Sequence, residues 1–431
     1  MTTNSSNAAN TEEAAHLSLK LGRLLLASGA DTAHTREEVE HFALGLGFET
    51  HLLITYESLL LTLIAGDEFR TKVGSHIPAT NVNMAAVGEL SRTSDDTASG
   101  LLDASAAASR LTALENSKPL YSRWLVAAAL GLTGASLSRL FGGDWPVFAT
   151  VYVASTIGTV IRQQLGRWHV HLLAIPFISA LVSGVIGGLG MRLHPSATPA
   201  LCLIAPGMIL VPGVPLINGI RDAINNNMVL SLARLSFAVL VIAAIASGLF
   251  AATAITGVGI PVWGPTALLP IFEDAVFSAL TTIGYVFLFN VTPRVAWACV
   301  LCGVCCHAFR TTLMHLGLDI VSGTFISSMV AGLLAHIFSR VFTAPPTTFA
   351  FPSVVALVPG SYAFRAVIGG IQILHAAGSV PSPVVAETIS LAIYTILLTS
   401  AIALGLAIAL AVPLPGWRQT QTSPRDRNLR P

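Results

Sequence analysis

The chain has 431 residues, of which 53% are hydrophobic and only 10% charged, with a formal net charge of +1. Soluble domains carry about 25% charged residues, so this composition excludes a soluble globular protein, and the near-neutral charge leaves no footprint for a nucleic-acid partner. Several apolar runs approach the ~20 residues that a helix needs to cross a bilayer, and the alternating ~10-residue segments of a membrane barrel do not occur. The sequence therefore predicts a polytopic α-helical membrane protein lodged in a lipid bilayer.

Charge is concentrated at the front: 15 of the 22 acids and all three lysines (Lys20, Lys72, Lys118) precede Trp124. Residues 1–13 read as a disordered polar tail. They have neither the basic nor the apolar region of a secretory signal, which points to a cytoplasmic N-terminus. Residues 14–118 read as a small α/β domain. Ala14–Ser28 has helical periodicity and Gly29 can stop it. A second helix is expected from Thr32 to Leu46, with Asp31 as its cap. "ETHLLITY", "SLLLTLIA" and "FRTKVG" read as strands, and "AGDE" (65–68) turns the second into the third. Helices over 82–91 and 98–116 lead to the membrane at Pro119.

Ten spans are expected near 123–140, 145–162, 170–190, 198–220, 228–255, 268–289, 295–312, 318–341, 348–370 and 384–412, followed by a basic tail, 414–431. With both termini inside, ten arginines after the first span face the cytoplasm, while Arg139, Arg192 and Arg310 face outward. That asymmetry agrees with the positive-inside rule.

The membrane part repeats itself. At an offset of 148, Leu140-Phe141 meets Leu288-Phe289, Arg162 meets Arg310, and "PFISALVSG" from Pro176 meets "TFISSMVAG" from Thr324. At an offset of 147, "LVPG" at Leu210–Gly213 meets "LVPG" at Leu357–Gly360. The units are 119–260 and 261–413, five spans each. An odd number inverts the second copy relative to the first, giving 5+5 inverted repeats, a device of secondary transporters with a site near the midplane.

Each "LVPG" should break its helix. Proline removes a backbone donor and glycine tolerates unusual backbone geometry. Freed backbone groups must face protein or a watery cavity, and a resumed helix offers its positive end to a carboxylate. Pro212, Gly213, Asn218 and Arg221 at the first break, and Pro359, Gly360, Ser361, Tyr362 and Arg365 at the second, are the candidate substrate-binding residues. Arg365, deep in its span, is expected to point into the cavity between the breaks. Asp222, Asp319 and Glu387 are the proton-coupling candidates, and Glu273 and Asp274, near a span start, are further acids that could carry protons. Cys299, Cys302, Cys305 and Cys306, with His307, fit small residues at a helix contact better than a metal motif, because on one regular helix they cannot surround an ion. No nucleotide-binding or hydrolase motif occurs. No metal, cofactor or enzymatic activity is expected.

The segments "LLLASGADTAHTREEVEHFALGLGF", "FRTKVG", "PGVPLINGIRD" and "VPGSYAFRA" resemble those of the threonine/serine exporter family, from about Leu17 to the last span. The resemblance implies export of threonine and serine, small carboxylates, driven by the proton-motive force across a bacterial inner membrane. A split form of the same architecture is similar to exporters of dicarboxylates such as succinate, so that substrate is the alternative. A membrane sensor that binds ligand in the N-terminal domain is the alternative from another class. Homo-oligomerisation stays open.

Overall fold

The computed structural model describes residues 2–65, 68–75, 82–193, 196–261, 268–375 and 381–412. The centre of the "AGDE" turn and the 414–431 tail lie outside these residues.

The N-terminal part contains α1 (Thr2–Ala27), α2 (Thr32–Gly45), β1 (Glu49–Ile54), β2 (Ser58–Ala65), β3 (Glu68–Ser75), α3 (Met84–Ala98) and α4 (Ala104–Glu115). The strands form an antiparallel meander in the order β1-β2-β3. Side chains alternate across it: Leu59, Leu61 and Leu63 are buried, while Leu60, Thr62 and Ile64 on the other face are not. The buried row packs with Leu21 and Leu25 of α1, Phe42 of α2, Leu90 of α3 and Leu111 of α4 in one apolar core. Asp31 caps α2, its carboxylate accepting from the His34 N–H at 3.0 Å.

Two boundaries differ from the sequence reading. Residues 2–13 continue α1 instead of forming a separate tail; they contain no glycine or proline to stop a helix. The third helix runs to Ala98, because Thr93 and Thr97 turn their hydroxyls onto carbonyls four residues back and stay helical.

The second part is all helical: α5 (Arg123–Leu140), α6 (Trp145–Arg167), α7 (Ala174–Leu193), α8 (Leu201–Met208), α9 (Gly213–Ile224), α10 (Met228–Thr256), α11 (Ile271–Leu288), α12 (Pro293–His315), α13 (Ile320–Phe342), α14 (Pro346–Val354) with a 3₁₀ turn at Val355–Leu357, α15 (Gly360–His375) and α16 (Ser382–Ala411). Six of these, α7, α10, α11, α12, α13 and α16, are long and apolar enough to cross a membrane, and eight spans result if each bent pair, α8/α9 and α14/α15, is one. The chain is thus a multi-pass membrane protein. Helices α5 and α6, expected as the first two spans, fall outside that set. Thr133, Ser136, Ser138 and Arg139 dilute α5, and Arg162, Gln163, Gln164 and Arg167 dilute α6.

The repeat is visible in these elements. Helices α5 and α11 both have 18 residues, α6 and α12 both have 23, and both pairs start 148 residues apart. Packing repeats as well: α5 on α6 and α11 on α12, α7 on α10 and α13 on α16, α9 on α16 and α15 on α10. Where α5 crosses α11, the Thr133 hydroxyl donates to the Thr281 carbonyl at 3.3 Å. These residues are counterparts at the 148 offset.

Candidate functional site

Both Val-Pro-Gly segments break their helices as expected, by 56° at the first and 43° at the second. The local geometry is the same in each. Gly213 donates its N–H to Val211 at 2.8 Å, and Gly360 to Val358 at 2.7 Å. Pro212 sits at φ −78°, ψ 68°, the geometry of an inverse γ-turn. The missing proline donor leaves the ladder open there, and the short turn restores one hydrogen bond.

The two breaks touch. A Cβ on Gly213 would lie 3.3 Å from Val355 Cγ1 and 3.4 Å from Val358 Cγ2, and one on Gly360 would lie 2.9 Å from Val211 Cγ2. A small cavity with room for about one water separates them. Its walls include three counterpart pairs, Leu137 with Tyr285, Met208 with Val355, and Val211 with Val358. The cavity therefore lies where counterpart positions of the two halves meet, with Tyr285 among its walls.

The broken helices run in opposite directions. Arg221, near the end of α9, pairs with Asp31 of the N-terminal domain at 3.1 Å. Helix α14, by contrast, contacts α3 of that domain. Arg365 on α15 donates from Nε to the Pro261 carbonyl at 3.1 Å, beyond the far end of α10.

A larger cavity of about 60 Å³ opens beside the second break. Pro359 and Tyr362 line it, with Asp274 of α11 and His307, Arg310 and Thr311 of α12. Helix α12 starts next to Asn290, which donates to Asn83 of the N-terminal domain at 2.7 Å. At 1.5 Å per residue, His307 and Arg310 lie roughly 20–25 Å farther along it. The polar groups form a chain: Thr311 Oγ1 donates to Asp274 Oδ2 at 2.8 Å, His307 Nδ1 lies 2.8 Å from Asp274 Oδ1, and Arg310 Nη2 lies 3.1 Å from His307 Nε2. Arg310 Nε is buried with no hydrogen-bond partner among the described residues. A guanidinium with a spare buried donor, facing a cavity, is equipped to take an anion.

Sequence reasoning missed this cluster as a site. Asp274 reads from sequence as one of several acids that could carry protons, His307 falls within the cysteine run, and Arg310 counts as an outward arginine. The signal was present: His307, Arg310, Thr311 and Met314 recur at helical spacing on one face. The cysteines themselves sit at helix contacts, with Cys299 Sγ 3.3 Å from the Thr348 carbonyl and Cys306 Sγ 3.3 Å from that of Ser327.

Several expected site residues are engaged elsewhere. Arg221 is held by Asp31, and the buried Asp222 pairs with Arg234 at 2.5 Å. Both are bound up where the N-terminal domain docks, because α9 ends under α2. Asp319 is an exposed cap of α13, its carboxylate accepting from the N–H groups of Val321 and Ser322. Arg365 does not line the cavity between the breaks; its first guanidinium nitrogen is taken by the Pro261 carbonyl. Half-buried Glu387 lies within electrostatic reach of Arg365 and Tyr362. Asn218 Oδ1 and Ser361 Oγ are buried with no partner among the described residues.

At the docking interface, outside the membrane helices, Asp31 has a clear shift. Burial pushes its carboxyl up, but Arg221, His34 and the hydrogen bonds they donate outweigh burial and hold it below the usual carboxylate range.

This geometry defines a class: a multi-pass helical membrane protein with two matched broken helices packed against each other. Comparison with known proteins gives the family. Residues 16–256 match the family described as "Putative threonine/serine exporter", and residues 274–412 match "Threonine/Serine exporter, ThrE". The chain belongs to the ThrE family of transporters. It is 30% identical over 244 residues to the "Probable succinate transporter subunit YjjP" of Escherichia coli, covering 56% of this chain and 94% of that protein. The similarity to the Klebsiella aerogenes protein of the same title is 30% over 244 residues, 56% of this chain and 93% of that one. An uncharacterized protein of Haemophilus influenzae is 31% identical over 141 residues, 33% of this chain and 47% of its own length. No solved structure matches.

Proposed function

We propose that the protein is a secondary active exporter of small hydroxy amino acids, threonine and serine, working by alternating access. In this reading ten spans form two inverted five-span units in the inner membrane, with both termini in the cytoplasm. The matched helix lengths, the opposed broken helices and the counterpart contacts support it. So does the place of α5 and α6, which correspond to the apolar α11 and α12 despite their own polar residues.

The observation that carries the substrate is the pairing of opposite charges in one cavity. Arg310 has a spare donor for a carboxylate, and Asp274 retains acceptor capacity for an ammonium beside the hydrogen bonds from His307 and Thr311. A zwitterion meets one partner of each sign. A dicarboxylate would set its second charge near Asp274. In this reading Tyr362, which lines the cavity at the start of α15, reads the hydroxyl. The relatives titled as succinate transporter subunits favour the dicarboxylate as the second reading, with His307 as a second cationic group when protonated.

Purified protein in liposomes, tested for counterflow of labelled threonine, serine and succinate, decides between them. Threonine and serine counterflow with little for succinate is the expected result. Succinate counterflow alone would replace the first reading by the second.

A further inference from the structure

Arginine only donates hydrogen bonds and stays protonated in proteins. The 3.1 Å contact between Arg310 Nη2 and His307 Nε2 therefore fixes Nε2 as the acceptor. His307 is then neutral, with its proton on Nδ1, donated to Asp274 Oδ1 at 2.8 Å. The chain of donors runs from the half-buried Arg310 to the buried His307 and Asp274. One lone pair, that of Nε2, is the link that anchors the guanidinium.

We propose that a proton and Arg310 compete for this lone pair, which makes His307 the coupling point between proton binding and the carboxylate site. The inference rests on the reading that Arg310 holds the substrate. When a proton adds to Nε2, the imidazole becomes a double donor and a cation. It then has nothing to offer Arg310 and repels it at hydrogen-bond distance. The guanidinium loses its anchor and leaves the pose in which its spare donors face the cavity. A zwitterion has no net charge, so the added positive charge attracts its carboxylate and repels its ammonium. These effects oppose each other, and loss of the Arg310 pose decides the sign. Proton and amino acid exclude each other, as exchange of an outgoing substrate for an incoming proton requires.

The surroundings of His307 are otherwise simple. Helix α11 presents Asp274, while its neighbour Glu273 pairs with Arg139 at 3.2 Å. Helix α12 itself adds Arg310 and the thiol of Cys306, and α15 adds Tyr362, which faces Arg310 across the cavity. Helix α14 has no acid, histidine, lysine or arginine, and those of α13, His336 and Arg340, lie toward its opposite end from the Asp319 cap. No other described carboxylate is hydrogen-bonded to the ring. His307 acts through Arg310 and is a positioning residue.

The test is exchange of labelled threonine or serine in liposomes at equal pH on both sides, stepped from pH 8 to 5. A ligand that needs the neutral imidazole loses about tenfold in affinity for each pH unit below that group's pKa. The wild type should show this rise in apparent KM. His307→Gln keeps an acceptor for Arg310 but cannot be protonated, so its exchange should persist with a KM flat within about twofold, and a pH gradient should no longer drive accumulation. Should that variant fail to insert, Asp274→Asn gives a second reading. It keeps an acceptor for Nδ1–H and removes the charge that both favours the imidazolium and meets the ammonium, so KM should rise at every pH while the pH at which it climbs moves lower. Exchange by His307→Gln with an unchanged pH profile, or an unmoved profile in Asp274→Asn, would overturn the coupling role. A wild type that exchanges no small carboxylate at any pH would instead overturn the reading on which it rests.

Discussion

The two broken helices share a backbone device and differ in what surrounds it. Each carries Val-Pro-Gly, the same short turn and a glycine pressed on the opposite break. Around the second break, Asp274, His307 and Arg310 line a polar cavity. The counterpart positions of the first half are Val126, Thr159 and Arg162. Arg162 has kept the charge without the acid or the imidazole, and among the described residues it makes no ion pair or hydrogen bond. The first half spends its charges at the other end instead, on the pairs Arg221–Asp31 and Arg234–Asp222. The two halves thus share a backbone device, with the polar cavity beside the second break and the docking ion pairs at the end of the first.

The largest expected effect tests that division. Arg310→Ala removes the anion partner and leaves His307 Nε2 without its donor, at a cost of about 2–5 kcal/mol where a buried carboxylate loses its cationic partner. Threonine exchange should fall at least 30-fold with insertion unchanged. Arg162→Ala should reduce it less than tenfold. Equal losses would show that both halves bind substrate alike.

Docking comes next. Asp31→Ala removes the α2 cap and strands Arg221, whose side chain is only 13% exposed. About 3 kcal/mol should be lost from the docked state, seen as faster protease cleavage within residues 14–118 of the full-length protein. The pH dependence follows from the lowered Asp31 value. Its pairing contributes fully above the ordinary carboxylate pKa of ~3.9 and is lost as pH falls through the folded value. Protease resistance should be level between about pH 5 and 8 and should drop in stronger acid. A drop near neutrality would point to a different group.

Smaller effects separate the two glycines. Gly360→Ala places a methyl 2.9 Å from Val211 and should lower stability by about 1–3 kcal/mol, read from the melting temperature. Gly213→Ala, with 3.3 Å of room, should cost less. The reverse order would mean that the breaks pack differently. The smallest effect is expected from Arg365→Lys, which loses one hydrogen bond to a loop carbonyl, about 1 kcal/mol. An exchange rate reduced as far as in Arg310→Ala would return Arg365 to the site.

What the sequence revealed followed the backbone. Proline and glycine act locally, so Pro212-Gly213 and Pro359-Gly360 announced the breaks, and a fixed offset announced their equivalence. Side-chain direction is not local. Arg221 and Asp222 follow the first break in sequence, yet they are claimed by Asp31 and Arg234 through a docking no periodicity encodes. Asp274 and His307 are 33 residues apart and meet only because α11 and α12 pack as a hairpin. In the polar helices α5 and α6, apolar length failed as a signal where helix-to-helix packing took over.

The most direct test is a structure of the protein in lipid, solved with saturating threonine. The account predicts the ligand in the cavity beside Pro359, its carboxylate within hydrogen-bond distance of Arg310 and its ammonium toward Asp274. A ligand held instead by Arg365, by Arg162 or within the N-terminal domain would contradict it.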